Sequence, residues 1–290
     1  MKIIENRKIW FTISGVIIIL GLIFSMINGL NFGIDFTGGS LIEIELHQQL
    51  DVNEIRQITN QYDTNANISL LGVDKSIVQI KSMIDFNSDV RMEIFNQFKE
   101  KYELPEMEPL QAEQFGPAIG KEIQSKAIIS MIIASICMLI YISYRFELKF
   151  GIAAVLALLH DILIVFSIYS LFKIPINTPF VAAILTILGY SINDTIVIFD
   201  RIRENLRTMK KTNFVQVANE SVVQSLSRTI NTSLTTLITV LALYILGVEQ
   251  IKVFALPLII GVIAGTYSSI LIASPLWIIL KDKQNKKVAY

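Results

Sequence analysis

The chain has 290 residues, of which 52% are hydrophobic and only 17% are charged, and its formal net charge is zero. This composition excludes a soluble domain of that size and indicates an integral membrane protein. The single cysteine, Cys137, excludes a disulfide within the chain, and its apolar surroundings predict a small buried side chain. The zero net charge averages segments of very different sign, so no nucleic-acid partner is expected from it.

The N-terminal region has three basic residues and then an apolar run from Ile9 to Ile27. At about 1.5 Å per residue, this run is long enough to cross the hydrocarbon core of a bilayer. It is too long for the apolar part of a signal peptide, and no small-residue cleavage site follows it. We therefore predict that residues 1–28 form a cytosolic N-terminus and a retained first transmembrane helix.

Residues 29–123 have a different character, because their acids outnumber their bases sixteen to seven. The excess of charge predicts a water-soluble domain inserted between membrane spans. Alternating apolar residues from Ile42 to Leu46 predict a first strand. A helix capped by Asp51 follows, then two strands at 68–73 and 77–84, a helix capped by Asn87 or Ser88, and a last strand at 107–115. The order βαββαβ predicts a ferredoxin-like α+β domain.

Five further apolar segments follow, at 126–144, 150–172, 178–199, 229–246 and 253–280. If the N-terminus is cytosolic, the cytosolic segments carry fifteen Lys and Arg residues, and the short outer loops carry two. Basic residues collect on the cytosolic side of membrane proteins. We therefore predict six transmembrane helices with both termini in the cytosol and an extracytoplasmic domain. The predicted divisions are 1–28, the α+β domain 29–123, the bundle 124–280 with a cytosolic loop at 200–228, and a cytosolic tail 281–290.

The fourth span contains Asn193 and Asp194 well inside its apolar part. An ionised carboxylate there costs several kcal/mol, about 2.5 at the low end. Either neighbouring hydroxyls satisfy Asp194 as a packing feature, or the carboxylate binds or relays a cation. Intramembrane acids favour the second interpretation. Thr186, Tyr190 and Asp194 recur every four residues, which predicts a polar stripe along the helix.

The fifth span begins with Arg228 and continues with Thr232 and three further threonines on one side, Thr235, Thr236 and Thr239. Such hydroxyls either line a path for water or a cation, or bond to their own backbone. Arg228 is the expected partner of Asp194, because an arginine keeps its charge. A carboxylate that alternates between paired and unpaired states can take up a proton on one side and release it on the other.

The third span carries His160 and Asp161 near mid-depth, with Ala154 and Ala157 on the same face as Asp161. Small residues there let a neighbouring helix approach closely. Small residues also recur every four positions along the sixth span, at Gly261, Gly265, Ser269 and Ala273. Their spacing predicts close helix packing in that span as well. Asp200 lies at the cytosolic end of the fourth span, where an ion pair with Arg201 or Arg203 is expected.

Catalytic motifs are scarce in the sequence. A zinc-binding His-Glu-x-x-His, a Gly-x-Ser-x-Gly elbow and a phosphate loop are all lacking. The strongest enzyme hypothesis is an intramembrane aspartyl protease that uses Asp161 and Asp194 as a dyad. The residues before Asp194 do not form the Gly-x-Gly-Asp of such proteases, so we predict a protein that is not an enzyme.

Four motifs together resemble the SecD/SecF family of protein translocase subunits, in the RND superfamily. They are Gly33 to Gly39 after the first span, Gly116-Pro117 with Gly120 before the second, His160-Asp161, and Gly189 to Asn205. The resemblance covers essentially the whole chain. It implies half of an RND-type transporter, paired with SecD, in the cytoplasmic membrane of a bacterium or archaeon. It also implies assistance to the SecYEG channel, in which an ion gradient helps to draw an exported polypeptide across the membrane.

The resemblance also implies roles for individual residues. The family's ion-pathway acid falls on Asp194 and its functional arginine falls on Arg228. The full set of candidate ion-pathway residues is Asp194, Arg228, Asn193, Tyr190, Asp161 and Thr232, and the structural-motif residues are Gly33, Asp35, Gly38, Gly39, His160 and Gly189. The coupling ion is H⁺ or Na⁺, and no other cofactor and no bound metal is expected. Gly38 and Gly39 suit a tight turn into the first strand.

Two other functions stay open. The first is an RND-like half-transporter that exports lipids or small amphiphiles, which would need a ligand cavity in the inserted domain. The second is a structural scaffold for the translocon, for which the substitution Asp194→Asn would be silent.

Overall fold

The computed structural model describes residues 2–48, 51–72, 74–105, 108–209 and 213–288. These include six helices that are long and apolar enough to cross a membrane. The first, α1 (Arg7–Asn28), is followed by a short helix α2 (Ile34–Thr37) at the start of the inserted domain. The predicted strand ends at Val73 and Met107, and the last two residues of the predicted tail, lie outside the described residues.

The inserted α+β domain has the predicted order of elements. They are β1 (Gly39–Glu45), α3 (Val52–Thr59), β2 (Asn67–Leu71), β3 (Ile77–Ser82), α4 (Ser88–Lys101) and β4 (Gln111–Phe115). The strands form one antiparallel sheet in the order β2-β3-β1-β4. Asp51 and Asn87 cap the two helices, as predicted, by accepting hydrogen bonds from the backbone of Asn53 and Val90.

The core of the α+β domain lies between one face of the sheet and the two helices. Ile42 and Ile44 of β1 pack there against Phe95 and Phe98 of α4, and all four side chains are fully buried. The alternation along β1 directs Glu43 to the other face, where Gln79 of β3 donates a hydrogen bond to its carboxylate. The domain is therefore a sheet covered on one side by helices, as in a ferredoxin-like fold.

The remaining helices form the membrane bundle. They are α5 (Pro117–Arg145), α6 (Leu148–Leu171), α7 (Thr178–Thr208), α8 (Phe214–Leu246) and α9 (Glu249–Ser268), which continues through a π-helical turn (Ser269–Ala273) into α10 (Ser274–Val288). One end of the bundle adjoins the α+β domain, and we call it the domain end. The opposite end carries the first and last described residues, and we call it the terminal end.

The centre of the bundle is formed by α6, α7 and α9, whereas α1, α5 and α8 present wide apolar faces outward. Cys137 lies on such a face of α5 and is exposed, so the predicted burial of this cysteine is wrong. The hydropathy of a membrane helix does not distinguish a face toward lipid from a face toward protein, because both are apolar.

Small residues set the distance between the central helices. A Cβ atom on Gly261 of α9 would overlap the side chain of Ile187 on α7, and one on Gly265 would lie 2.9 Å from the Cβ of Ser191. Ala154 and Ala157 on α6 are likewise fully buried. The predicted close packing along these faces is therefore present.

The predicted loop at 200–228 is largely helical in the structure. Helix α7 runs to Thr208 and α8 begins at Phe214, so both helices extend past the predicted spans. The extensions pack on each other, and buried Asn205 donates hydrogen bonds to Ser221 and Gln224 at 2.8 Å. Charged and polar residues in both extensions keep their hydropathy below that of a membrane span, so the predicted spans end at Phe199 and begin at Thr229.

The segment between α1 and β1 attaches the α+β domain to the bundle. The backbone of Gly33 bonds to Ile176 at 2.7 Å, and Asp35 accepts a hydrogen bond from the backbone of Thr178, which is the first residue of α7. Gly38 and Gly39 both have positive φ, and a Cβ on Gly39 would overlap the carbonyl oxygen of Ser82 in β3. Only glycine fits this entry into the first strand.

Candidate functional site

Asp194 is buried between three membrane helices. Its side chain points from α7 toward α8 and is only 2% exposed. Thr232 and Ser233 of α8 donate hydrogen bonds to its two oxygens, at 3.2 and 3.1 Å. Thr266 of α9 in turn donates to the Ser233 hydroxyl at 2.6 Å. Both donors to this carboxylate therefore come from α8, and α9 supports one of them.

Arg228 does not form the predicted ion pair with Asp194. Its side chain is exposed, and within the described residues no ion pair joins the two groups at 4.0 Å or less. Thr232 lies one turn further along α8, and its single hydroxyl proton is shared among Asp194 at 3.2 Å and the carbonyls of Arg228 and Thr229 at 3.0 and 2.9 Å. Hydroxyls therefore occupy the positions next to the carboxylate, and the guanidinium lies nearer the terminal end.

Asp161 has a separate set of partners. It is fully buried on α6 and accepts hydrogen bonds from Ser191 at 2.6 Å and Ser268 at 2.9 Å. The Nδ1 atom of His160 lies 3.0 Å from its other oxygen, and Nε2 of the same ring lies 2.8 Å from the hydroxyl of Ser14 on α1. Four helices therefore meet at this acid.

Asp161, Asp194 and the hydroxyl groups that bond around them form one layer of polar groups across the bundle, which we call the polar layer. The two acids do not form a dyad. Each carboxylate has its own donors, and no hydrogen bond among the described residues joins them directly. The π-helical turn connects their surroundings, because Ser269 bonds to the Thr195 hydroxyl at 2.8 Å and to the Ser191 carbonyl at 3.3 Å. A π-turn inside a helix often marks a functional position.

The other predicted polar residues of α7 lie away from this layer. Asn193 and Gly189 are on the exposed face, and no atom lies within 4 Å of the place where a Gly189 Cβ would be. The Tyr190 hydroxyl is buried and has no partner in the part of the chain that the structure describes. Thr186 is exposed and bonds to its own backbone. The predicted stripe is therefore not a continuous hydrogen-bonded chain.

Most of the threonine stripe on α8 also bonds to its own helix. The hydroxyls of Thr235 and Thr239 donate to backbone carbonyls one turn away. Thr232 alone among the four stripe threonines bonds to Asp194 in the structure as described. In the structure the stripe therefore contributes one hydrogen-bond donor to the buried acid.

Sequence reasoning missed several residues of the polar layer, namely Ser14, Ser191, Thr266 and Ser268. Single hydroxyls are common in membrane helices, so their sequence positions carry no distinguishing signal. Only the packing of α1, α7 and α9 around α6 brings these hydroxyls to the two acids.

Comparison with known proteins identifies relatives along the whole chain. A family model described as "Protein export membrane protein SecD/SecF, C-terminal" matches residues 94–283, and a "SecD/SecF GG Motif" model matches residues 23–49. The SecF subunit of Calditerrivibrio nitroreducens is 41% identical over 97% of this chain and 94% of its own length. The SecDF protein of Bacillus subtilis is 34% identical over 98% of this chain but only 38% of its own length.

Solved structures show the same relation. The crystal structure of SecDF from Thermus, a translocon-associated membrane protein, matches 97% of this chain with a TM-score of 0.84 and 33% identity. A SecDF structure in a super-membrane-facing form matches the entire chain with a TM-score of 0.74. The chain spans about two-fifths of these SecDF chains, 39% and 40% respectively.

The fold and the site define a class of protein. It is a multi-pass membrane protein with six helices, a ferredoxin-like domain inserted after the first helix, and two acids buried at the centre of the bundle. With relatives aligned over nearly its full length, the chain belongs to the SecD/SecF family of protein export membrane proteins.

Proposed function

We propose that the chain is an accessory subunit of the Sec protein translocase that uses the transmembrane ion gradient to promote late steps of protein export through SecYEG. Family membership and the names of its relatives support the translocase part of this proposal. The SecDF relatives, of which this chain matches less than half, support SecD as its partner. The other proposed partners are an unfolded exported polypeptide and the lipid of a bacterial cytoplasmic membrane.

One observation carries the gradient part of the proposal. A carboxylate is buried in the middle of a membrane helix, and two hydroxyls from a different helix hold it. Such a group binds a proton or a small cation in one arrangement of the helices and releases it in another. Moving one charge through the field is worth about 2.3 kcal/mol per 100 mV, which is enough to bias a conformational cycle.

The proposed ion pathway comprises Asp194 with Thr232, and Asp161 as a second acid of the same polar layer. Arg228 lies nearer the terminal end, where it would approach Asp194 only after a rearrangement of α8. Asn193 and Tyr190 lie on the side of α7 where a partner subunit would complete the path. The ion is H⁺ or Na⁺, because a carboxylate with hydroxyl neighbours suits either.

The excess of Lys and Arg at the terminal end supports a cytosolic location of both termini. The α+β domain would then lie on the far side of the membrane, where the exported chain emerges. The geometry does not support the aspartyl-protease hypothesis, because the two acids have separate donors and no hydrogen bond among the described residues joins them.

The test is export of a reporter protein into inverted membrane vesicles with an imposed ion gradient. We expect Asp194→Asn to abolish the part of export that depends on the gradient, because the side-chain amide of asparagine neither takes up nor releases a proton near neutral pH. The matched control is Thr239→Val, which removes a hydroxyl on α8 that bonds only to its own backbone. Export should keep its gradient dependence in this control.

Assembly with the partner must be measured in parallel, by co-purification from the same membranes. Gradient-dependent export that persists in an assembled Asp194→Asn variant would favour the scaffold function. The amphiphile exporter is the weaker alternative. The core of the α+β domain is filled by buried side chains such as Phe95 and Phe98, and the cleft between the domain and the bundle is lined by charged groups such as Asp35, Lys81 and Glu249.

A further inference from the structure

A group of arginines lies at the terminal end of the bundle, far from the buried acids. Two adjoining cavities open there, of about 270 and 370 Å³. Arg145, Arg203 and Arg207 line both of them. Arg145 is the last residue of α5, and Arg203 and Arg207 lie in the extension of α7. The site is therefore formed by two helices.

Two of these arginines are held in place by a common aromatic ring. The guanidinium carbons of Arg145 and Arg203 lie 5.4 and 5.7 Å from the centre of the Phe146 ring. Arg203 also donates a hydrogen bond to the carbonyl of Arg145 at 3.1 Å, at the end of α5. Stacking on an aromatic face orients a guanidinium and leaves its edge free to bind an oxyanion.

The positive charge of the cavities is only partly balanced by nearby acids. Asp200 lies 3.9 Å from Arg145, the outer limit for an ion pair. The other two lining acids are engaged by cations outside the arginine group. Arg201 binds Glu204 at 2.6 Å, and Lys281 binds Glu147 at 2.9 Å.

Arg203 and Arg207 keep their charge without an acidic partner. Among the acids of the described ranges, none lies within 4.0 Å of either guanidinium. The cavities therefore hold a surplus of positive charge next to the membrane. Guanidinium groups bind phosphate oxygens in pairs, so this surplus favours a phosphate over a simple halide ion.

Apolar side chains also lie next to the arginines. Phe146, Phe150 and Leu206 line the larger cavity. Beside it, Tyr144 and Leu148 at the ends of α5 and α6 are exposed, and the outward face of α5 is apolar from Ile128 to Tyr144. A phosphate in the cavity would thus lie where a bilayer places its headgroups, with an apolar surface beneath it for acyl chains.

We propose that Arg145, Arg203 and Arg207 form a binding site for the phosphate of an anionic phospholipid headgroup. The site does not rest on the proposed export function. It uses none of the residues of the polar layer around Asp161 and Asp194. The headgroup would bridge α5 and the extension of α7, and so link the outer helix to the centre of the bundle.

The test uses the full chain, purified in a neutral detergent and reconstituted into nanodiscs of equal parts phosphatidylglycerol and phosphatidylcholine. The protein is then extracted from the nanodiscs with the neutral detergent and purified away from the bulk lipid. Mass spectrometry measures the ratio of the two lipids that stay bound to it. We expect phosphatidylglycerol to be enriched several-fold in the native protein. The variant Arg203→Gln with Arg207→Gln should lower the ratio to that of the bulk mixture.

The matched control is Lys2→Gln with Lys8→Gln, which removes the same charge from exposed residues at the same end of the bundle. This control should keep the enrichment. Arg207→Gln alone serves if the double variant fails to fold, since Arg207 has no hydrogen bond or ion pair among the described residues. Equal enrichment in the arginine variants, or equal loss in the lysine control, would overturn the site.

A second arm separates a lipid from free phosphate. Inorganic phosphate is added to the native protein in detergent without lipid, and the unfolding temperature is compared with that after addition of phosphatidylglycerol. We expect a rise with the lipid that is lost in the arginine variants, and no rise with inorganic phosphate. An equal rise with both would show that the site binds the phosphate group without regard to the lipid, contrary to the proposal.

Discussion

At the scale of single residues, hydrogen bonds decide how each buried polar group is tolerated. Asp161 and Asp194 lie in the same layer, yet serines from two helices and a histidine hold the first, and two hydroxyls of α8 hold the second. Every donor that reaches Asp161 comes from a residue of the central helices or from its own neighbour. Asp194 depends on α8, an outer helix, so a movement of α8 would expose Asp194 first.

Asn219 makes a second residue-scale arrangement at the terminal end. Its side-chain oxygen accepts hydrogen bonds from the backbone of Ile3 and Ile4 at 2.9 and 3.0 Å, and its nitrogen donates to Glu5 at 2.8 Å. The N-terminal segment is thereby held against α8, with both isoleucines buried in the core formed around Trp277. The Asn219 amide thus provides a hydrogen-bond partner for two backbone N–H groups and one carboxylate, and nothing in the sequence indicated these contacts.

We expect Asn219→Ala to destabilise the protein, because it leaves two buried backbone donors without a partner. The cost of each is about 1–3 kcal/mol. Thermal unfolding of the detergent-solubilised protein measures the loss. Gln216→Ala is the control, since Gln216 is exposed on the same helix and its side chain donates to Glu220 one turn away. Equal stability of the two variants would show that the Asn219 contacts do not contribute.

The same residue predicts a dependence on pH. The hydrogen bond from Asn219 lowers the pKa of Glu5, and nearby Lys2 acts in the same direction. A lowered pKa in the folded state stabilises the protein above the unfolded pKa of about 4.3, and this contribution disappears as the pH falls through the folded value. The stability difference between the native protein and Asn219→Ala should therefore narrow below about pH 4.

At the scale of elements, the contact between α7 and α9 positions the polar layer. Gly265 faces Ser191 closely enough that any side chain on the glycine must displace one of the two helices. Ser191 is also a donor to Asp161. The spacing of two helices and the hydrogen bonding of a buried acid are therefore set by the same contact.

We expect Gly265→Ala to lower the stability by about 1–3 kcal/mol, the usual cost of overpacking a close contact. The matched control is Gly15→Ala on α1, where no atom lies within 4 Å of the new Cβ. Thermal unfolding in detergent measures both variants. A Gly265→Ala protein as stable as the control would mean that α7 and α9 separate without cost.

At the scale of the whole molecule, the α+β domain and the bundle meet across a cleft of about 600 Å³. Gln79, Lys81 and Met83 of the sheet face form one wall, and Asn177 and Glu249 at the domain end of the bundle form part of the other. The domain is attached through the segment around Gly33 and Asp35 and through Phe36 of α2, whose carbonyl accepts a hydrogen bond from Gln124 of α5. The chain also runs directly from β4 into α5. A tilt of the domain about these contacts would close the cleft.

We propose that such a movement couples the ion step to the exported chain, and a cross-link tests it. After Cys137→Ser, cysteines at Lys81 and Glu249 are joined by a flexible, reducible reagent. We expect gradient-dependent export to stop while ion flux continues, and to return on reduction. The control cross-link joins positions Glu54 and Lys101 inside the domain, where Lys101 already bonds to the Glu54 carbonyl at 3.3 Å. Export that persists across the cleft cross-link would contradict the coupling.

The sequence by itself determined the class of the protein, its six spans and the inserted βαββαβ domain. Hydropathy, strand alternation and the caps Asp51 and Asn87 are local signals, and each is legible in a few consecutive residues. It also identified Asp194 and Asp161, because a carboxylate in an apolar helix stands out without any knowledge of its neighbours.

Only the tertiary structure decided what those acids bind. It replaced the expected pairing of Asp194 and Arg228 with two hydroxyls of α8, and it extended α7 and α8 beyond the predicted spans. The physical reason is that lipid and protein interior are equally apolar. Hydropathy therefore fixes which residues enter the membrane, whereas the rotation and spacing of the helices, set by residues such as Gly265, fix which polar groups meet.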